Sequence, residues 1–251
     1  WSGYSYQIPN MWQGRYETIK VIGDKRGGTS AKHLETNPEL LDEVKKYYDD
    51  REEIIKVLEV NGNPSDADYF TGDEYRDIII KKDERHEGFP DAGHSIALKA
   101  SHINSSSEYE NKPMKVAKLI ERYSKLNEKL CSLFSTRNCA LFQMYPPGGF
   151  ISWHNNANAS AYNLIFSWSE TGDGHFKYVD GKTGEDVVMQ DVQGWQCKAG
   201  YFGSYYEPWD KRVYHCARTN CWRITVSYIF DRSDMSMSLH EDIIEEIMSD
   251  Y

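Results

Sequence analysis

Cysteine is scarce in this chain, and its spacing carries no disulfide or metal pattern. The 251 residues include five cysteines, none of them in a Cys-x-x-Cys pair. An odd number without such a pair predicts neither a disulfide framework nor a zinc site of the ribbon type. The cysteines therefore indicate a reducing compartment.

Long apolar runs and an excess of basic residues are absent as well. No segment approaches the roughly 20 apolar residues that a membrane-spanning helix requires, and residues 1–6 lack the basic and apolar regions of a signal peptide. Lys and Arg total 29 against 39 Asp and Glu, for a net charge of −10. Because nucleic-acid binding usually needs clustered positive charge, this balance argues against DNA or RNA as a partner. We expect a soluble, intracellular (cytoplasmic) protein without a membrane partner.

The last part of the chain consists of short segments of the strand type. They are rich in aromatic and β-branched residues, and turn residues separate them, which is typical of a β-sandwich or barrel. The turns at 171–174 and 180–181 contain Gly next to Asp, and we expect hairpins there because glycine tolerates a positive φ. The predicted strands are 161–168, 175–179, 187–191, 195–203 and 223–230.

The first 135 residues have a helical and loop-like texture. Asn37 and Pro38 form a start signal for a helix that extends to about residue 58, and apolar spacing predicts a second helix over 113–133. The acidic, turn-rich segments between them, 61–77 and 81–94, are expected to be lid-like loops.

These patterns predict an α+β fold in one domain that spans 1–251. Residues 1–135 supply mostly helical support and loops, and residues 136–231 form the β core. Residues 232–251 contain a short acidic helix. A chain of this length commonly forms a single β-rich unit.

Two histidines lie far apart in the predicted core. His154 and His215 are too distant in sequence to share a helix, so strands of one barrel must bring them together. Imidazole suits iron, and two histidines with one carboxylate leave positions open for a co-substrate and oxygen. Arg223 interrupts an apolar strand, where an unpaired buried charge is costly, so it needs a partner anion. The pattern indicates a mononuclear iron site beside a pocket for a 2-oxoacid.

With these residues the chain resembles the iron(II)- and 2-oxoglutarate-dependent oxygenases, particularly the prolyl-hydroxylase-like branch. Their usual order is Tyr-x-x-Gly, His-x-Asp, a distal histidine, and Arg-x-Ser or Arg-x-Thr. The resemblance covers residues 139–230 and implies a double-stranded β-helix, or jelly roll, with Fe(II), 2-oxoglutarate as co-substrate, and O2. The matching residues are Tyr145, Gly148, His154, His215, Arg223 and Thr225.

The resemblance also implies a role for each residue. His154 and His215 would ligate iron, and Arg223 would pair with the distal carboxylate of 2-oxoglutarate, for which its planar fork is suited. Tyr145 and Thr225 would hydrogen-bond that same carboxylate. The implied reaction hydroxylates a carbon of a peptidyl or amino-acid-like substrate and releases succinate and CO2.

One position departs from the family pattern. Asn156 stands two residues after His154, where the family has an Asp or Glu ligand. The amide oxygen, or a water held by it, completes the metal site in one reading. In a second, chloride replaces the carboxylate, as in the radical halogenases of the superfamily. In a third, the site is degenerate and the barrel only binds a ligand or partner, or Glu170 or Asp173 reaches the metal. These two acids are expected at a turn, away from the barrel mouth.

Other residues are less informative. His175 opens a predicted strand, where it either faces the barrel interior or has a structural role. An aromatic wall around the barrel mouth is one arrangement for six residues, although strand alternation is expected to send some of them elsewhere. They are Trp153, Tyr162, Trp168, Trp195, Trp209 and Trp222.

Overall fold

A computed structural model describes residues 63–81, 90–97, 138–156, 160–203 and 205–230, with a few single positions elsewhere. The helix predicted to end near residue 58 lies outside this part of the chain. Within 113–133 the described positions are helical, as are the two described positions of the C-terminal segment. These positions are Ser124, Lys125, Asn127, Glu128, Cys131, Ser238 and Asp242.

The described part of the chain contains ten strands. They occur where apolar and β-branched residues alternate with turn residues. In chain order they are β1 (Gly93–His94), β2 (Ile96–Ala97), β3 (Asn138–Tyr145), β4 (Phe150–His154), β5 (Ala161–Ser169), β6 (Gly174–Val179), β7 (Asp186–Gln190), β8 (Gly194–Phe202), β9 (His215–Thr219) and β10 (Arg223–Phe230).

The strands form two antiparallel sheets of five strands each. Sheet A has the order β1-β4-β9-β6-β7, and sheet B has the order β2-β3-β10-β5-β8. Consecutive strands repeatedly fall in different sheets, so the chain winds between two facing layers. This is the double-stranded β-helix, or jelly roll, that the sequence predicts.

The two predicted hairpin turns behave differently. The turn at 180–181 joins β6 to β7, which pair directly. The turn at 171–174 joins β5 to β6, which belong to different sheets, so the hairpin predicted there is wrong. Gly172 has the positive φ of 87° that favours glycine, but a tight turn serves a hairpin and a corner between sheets equally well.

Helices cover the outer face of sheet A where loops were predicted. A 3-10 helix (Pro64–Asp66) precedes α1 (Ala67–Phe70) and α2 (Asp73–Lys81), so the loop predicted over 61–77 is wrong over its described part. Tyr75 and Ile79 of α2 are buried against Trp153 and Cys216. The acidic residues that suggested a loop instead occupy the first turns of these helices, where negative charge is favourable. No helix among the described residues is long and apolar enough to cross a membrane.

Two ring contacts show which faces of the sheets meet. Phe202 of β8 lies 5.0 Å, centroid to centroid, from His215 of β9, and 6.4 Å from Phe176 of β6. The face of sheet B that carries Phe202 therefore faces the His215 side of sheet A. Side chains alternate along a strand, so the residues that share these inner faces can be assigned from the strand register.

Candidate active site

His154 and His215 are brought together by direct strand pairing. They are cross-strand partners on β4 and β9, and their ring centroids lie 4.2 Å apart. Cross-strand partners share one face of a sheet, so both imidazoles are on the inner face of sheet A. The pairing of β4 with β9 shifts register between Ile151 and His154. After this shift, the last residue of β4 pairs with the first residue of β9.

Backbone carbonyls orient both rings. The Nδ1 of His154 lies 2.7 Å from the carbonyl oxygen of Ser152, and the Nδ1 of His215 lies 2.9 Å from that of Val213. A neutral imidazole with a proton on Nδ1 carries its lone pair on Nε2, which is how histidines are commonly prepared as metal ligands.

Burial favours the neutral form of the His215 imidazole. The side chain is 8% exposed, and burial, followed by the neighbouring His154, holds the pKa of His215 well below its usual value. Phe176 and Phe202 contact the ring at centroid distances of 5.5 and 5.0 Å. Two aromatic rings therefore pack against the His215 member of the pair.

Asn156 occupies a turn directly after β4. Its φ is 62°, and it is the one non-glycine residue with positive φ in the described part of the chain. Asn is among the residues that adopt this conformation most readily. The side chain is half-buried. Within the described residues no cluster of three or more His, Cys, Asp or Glu side chains is found, so no carboxylate there replaces the one that Asn156 lacks.

The inner face of sheet B is polar. Arg223 of β10 pairs with Tyr145 of β3 and Ser169 of β5, and Thr225 pairs with Gln143 and Ser167. Each of these residues is buried; Arg223 is only 2% exposed. The sequence-predicted residues Arg223, Thr225 and Tyr145 are thus adjacent on one face, and the strand register alone places them there.

Arg223 has an anionic partner within the chain. Its Nε donates to Oδ2 of Asp191 over 2.7 Å, Nη2 donates to Ser167 over 3.2 Å, and Nη1 donates to the hydroxyl of Thr225. Burial opposes the charge on Arg223, but Asp191 raises its pKa, so the guanidinium remains protonated. From the sequence, the expected carboxylate partner of Arg223 was a co-substrate, and Asp191 was not predicted.

Asp191 connects Arg223 to a second cation. Its Oδ1 accepts a hydrogen bond from Nε2 of Gln196 over 2.7 Å and lies 3.5 Å from Nζ of Lys198. The side chains of Asp191 and Lys198 are both 0% exposed. Asp191 lies beyond the end of β7, and its backbone N–H donates to Gly174, the cross-strand partner of Thr219 at the far end of β9 from His215.

Tyr145 lies beside the guanidinium of Arg223. The Cζ of Arg223 is 5.7 Å from the centre of the Tyr145 ring, and the Tyr145 hydroxyl donates to Gln143 over 2.8 Å. Burial raises the pKa of Tyr145 to about 12, although the positive charge of Arg223 opposes this shift. The phenol is therefore protonated, and its one O–H is the donor in the hydrogen bond to Gln143.

The glycine of the Tyr-x-x-Gly motif allows a tight turn of the backbone. The N–H of Gly149 donates to Pro146 over 2.7 Å, and Gly148 has a φ of 80°. Proline at the second position and glycine with positive φ at the third are typical of a type II turn. The motif therefore reverses the chain between β3, which ends at Tyr145, and β4, which carries His154.

Other sequence candidates lie away from the inner faces. His175 alternates with Phe176 and pairs with Arg218 and Gln190 on the outer face of sheet A. Glu170 and Asp173 lie at the turn after β5, where Asp173 is exposed and contacts Asn220.

The aromatic wall does not form around the histidines. Trp153 packs against α2 on the outer face of sheet A, and Trp168 pairs with Trp195 on the face of sheet B opposite Arg223. Tyr162 lies on that same outer face. Trp209 is 39% exposed and contacts Tyr214.

Comparison with known proteins gives only distant structural similarities. No family model matches the chain, and no curated protein does. A prolyl-4-hydroxylase from Pseudomonas putida is 14% identical, with 63% of this chain and 85% of that chain covered and a TM-score of 0.31. A prolyl hydroxylase from Trichoplax adhaerens, in complex with a peptide fragment of a hypoxia inducible factor oxygen degradation domain, is 9% identical over 93% and 92% of the chains, with a TM-score of 0.36.

A third solved structure is a dioxygenase for auxin oxidation from rice. It is 13% identical, covers 57% of this chain and 56% of its own, and has a TM-score of 0.27. At such identities and TM-scores these similarities assign neither a family nor a function.

Proposed function

We propose that this protein is an iron(II)- and 2-oxoglutarate-dependent dioxygenase that hydroxylates a carbon of a peptidyl or amino-acid-like substrate, with release of succinate and CO2. The observation that carries the proposal is the cross-strand pair of His154 and His215, with each Nδ1 held by a backbone carbonyl. Two oriented imidazoles at the inner face of a jelly roll are suited to a first-row metal such as iron.

The donor chemistry of the two histidines fits Fe(II). His154 and His215 would hold the metal, and Asn156 would contribute its amide oxygen or a bound water. When bound, iron and 2-oxoglutarate together supply the activation of O2. The chain's own residues bind and orient the co-substrate, and the aromatic rings around His215 exclude water from the reacting centre.

The co-substrate would lie between the histidine pair on sheet A and the polar residues around Arg223 on sheet B. Arg223 would bind its distal carboxylate, with Thr225 and the protonated Tyr145 phenol as neighbouring hydrogen-bonding groups. His215 and Thr219 are four residues apart on β9, roughly 13 Å along the strand, and Asp191 is held near Thr219 through Gly174. An elongated dicarboxylic acid is the type of ligand that reaches from a metal at one end to a cation at the other.

Asn156 favours a second candidate function. Because no described carboxylate joins the two histidines, a halide could supply the missing negative charge, and the protein would then be a radical halogenase. A non-catalytic barrel that binds a ligand or partner is the remaining alternative.

An anaerobic titration of the metal-free protein with iron(II) and then 2-oxoglutarate tests the proposal. We expect a visible metal-to-ligand charge-transfer band that disappears in His154→Ala. The matched control is His175→Ala, since His175 is on the outer face of the same sheet and should leave the band intact. A folded wild-type protein without a band at any iron concentration would contradict the proposal and favour the binding barrel.

Product analysis separates the two enzymatic functions. Turnover in chloride-containing buffer should give a hydroxylated product with no halogen. A halogenated product would replace hydroxylation with the second candidate function.

A further inference from the structure

A tyrosine extends the row of the two histidines across sheet A. Tyr178 of β6 is the cross-strand partner of His215 on β9, and His215 is in turn the partner of His154 on β4. Cross-strand partners share one face of a sheet, so the three side chains lie side by side on the inner face. Tyr178 is 5% exposed. A buried phenol therefore lies next to the two imidazoles.

Strand alternation on β6 supports this orientation of Tyr178. The ring of Phe176, two residues earlier, lies 5.5 Å from the His215 ring and 6.4 Å from the Tyr178 ring, centroid to centroid. Val179, the next residue, instead packs with Tyr75 of α2 on the outer face. Because successive side chains of a strand point to opposite faces, Tyr178 faces the interior of the barrel.

The other inner-face neighbours of His215 and Tyr178 are apolar. Two are the rings that contact His215, one lies two residues after His215 on β9, and one is the partner of Tyr178 on β7. They are Phe176, Phe202, Ala217 and Val187. Apart from the histidines, Tyr178 alone in this described set has a side-chain group that can hydrogen-bond to a ligand.

The position of the row also determines which end of the co-substrate Tyr178 would meet. The proposed metal lies at the His215 end of β9, and the Arg223 site lies towards Thr219 at the other end. A co-substrate that spans the two would place its metal-binding oxygens beside Tyr178. Hydrogen bonds to a charged acceptor such as a carboxylate are stronger than neutral ones, and a site of low dielectric strengthens them further.

We infer that Tyr178 is a co-substrate-binding residue whose phenol hydroxyl donates a hydrogen bond to the metal-binding end of the 2-oxoacid. This inference rests on the proposed function and adds to its site a residue that the sequence motifs did not single out. The hydrogen bond orients the 2-oxoacid on the metal without adding a charge to the apolar wall.

The experiment measures a spectroscopic property of the bound co-substrate. The visible band of the iron(II) complex with 2-oxoglutarate transfers charge from the metal to the 2-oxoacid, so a hydrogen bond to the 2-oxoacid lowers the energy of this transition. Tyr178→Phe removes the hydroxyl and keeps the ring. The matched control is Tyr214→Phe, because Tyr214 is also buried and directly precedes His215 but packs on the outer face.

The band of Tyr178→Phe should lie at shorter wavelength than that of the wild type. Its Kd for 2-oxoglutarate, from anaerobic titration, should rise about fivefold, the effect of one lost hydrogen bond. Tyr214→Phe should match the wild type in both measurements. A merely structural role of Tyr178 predicts no change in wavelength.

A second variant keeps the test decisive if Tyr178→Phe does not fold, which unfolding temperatures check. It carries 3-fluorotyrosine in place of Tyr178, which preserves the ring and the hydroxyl. The fluorine withdraws electrons and makes the hydroxyl a stronger hydrogen-bond donor, so the band should move to longer wavelength.

Two results would overturn the inference. One is a band at the wild-type wavelength in the folded variants of Tyr178, and the other is an equal shift in Tyr214→Phe. In either case the wild type still shows the band, so the proposed function survives. A folded wild type without a band at any iron concentration would instead reject the proposed function and the inference with it.

Discussion

His154 and His215 face each other across one ladder, with their ring centroids 4.2 Å apart, although four strands of the chain lie between β4 and β9. The pairing depends on strand register, and each ring is fixed by a carbonyl two residues before it. The placement of the pair thus follows from the sheet itself, whereas the third ligand position depends on the turn at Asn156.

Replacing that amide with a carboxylate tests the ligand set. Asn156→Asp should fold normally, because Asp also tolerates the φ of 62° found here. We expect iron(II) affinity to rise about tenfold or more, corresponding to about 1.4 kcal/mol, since a carboxylate offsets part of the metal charge. Competition with a chelator measures the change.

Asn156→Gly is the matched control, because glycine keeps the positive φ and removes the amide. It should weaken iron binding if the amide, or a water held by it, is a ligand. Equal iron affinity in all three proteins would mean that position 156 does not contact the metal. If the native protein halogenates, Asn156→Asp should abolish halogenation.

The buried arginine should be far less replaceable than an exposed one. Arg223→Lys keeps the charge but cannot reach Asp191, Thr225 and Ser167 together. Losing two hydrogen bonds from a charged donor predicts a decrease of about 3 kcal/mol in the free energy of unfolding, measured by urea denaturation.

Arg218→Lys provides the comparison. Arg218 pairs with Asp68, and the two side chains are 27% and 84% exposed, so the pair contributes less than about 1 kcal/mol. Similar losses in the two variants would show that Arg223 is not held by its buried contacts.

Strand positions in the second half of the chain could be predicted closely. The last strand was predicted over 223–230 and spans Arg223–Phe230, because an apolar, β-branched run bounded by turn residues has few alternatives. The order and spacing of the motifs singled out the histidines and Arg223 as candidates, and their roles at a metal or co-substrate stay predictions.

The remaining polar residues of the interior were not predicted, because their alternation with apolar residues is typical of a strand with one exposed face. In β8, Gln196 and Lys198 alternate with Trp195 and Cys197, and a polar residue at every second position normally indicates a solvent-facing side. Here both faces of β8 are buried, and the polar one faces sheet A. Asp191 was predicted only as the last residue of the strand 187–191, so neither member of the Asp191–Lys198 pair was predicted.

The turn before β4 should stabilise the fold through both its backbone conformation and its packing. Gly148 has a φ of 80°, and a Cβ there would lie 3.0 Å from the Cβ of Pro64. Gly184 has a φ of 73° with no atom within 4 Å of an added Cβ. Gly184→Ala therefore isolates the cost of the left-handed conformation, about 1–2 kcal/mol. Gly148→Ala should cost more, as measured by urea unfolding, and equal losses would exclude a contribution from the contact with Pro64.

His175 should make stability depend on pH in a defined window. Burial, and after it the charge of Lys177, lowers the pKa of His175 to about 4, while the unfolded chain has a pKa of about 6.5. Between these values the unfolded state binds more protons, so the free energy of unfolding falls as the pH decreases from 6.5 towards 4. Above pH 7 the imidazole is neutral in both states and contributes no pH dependence.

His175→Gln removes this titration and leaves the other histidines in place. The difference in unfolding free energy between wild type and variant should be constant above pH 7 and shift in favour of the variant towards pH 4. Parallel curves over the whole range would mean that His175 has the same pKa in both states.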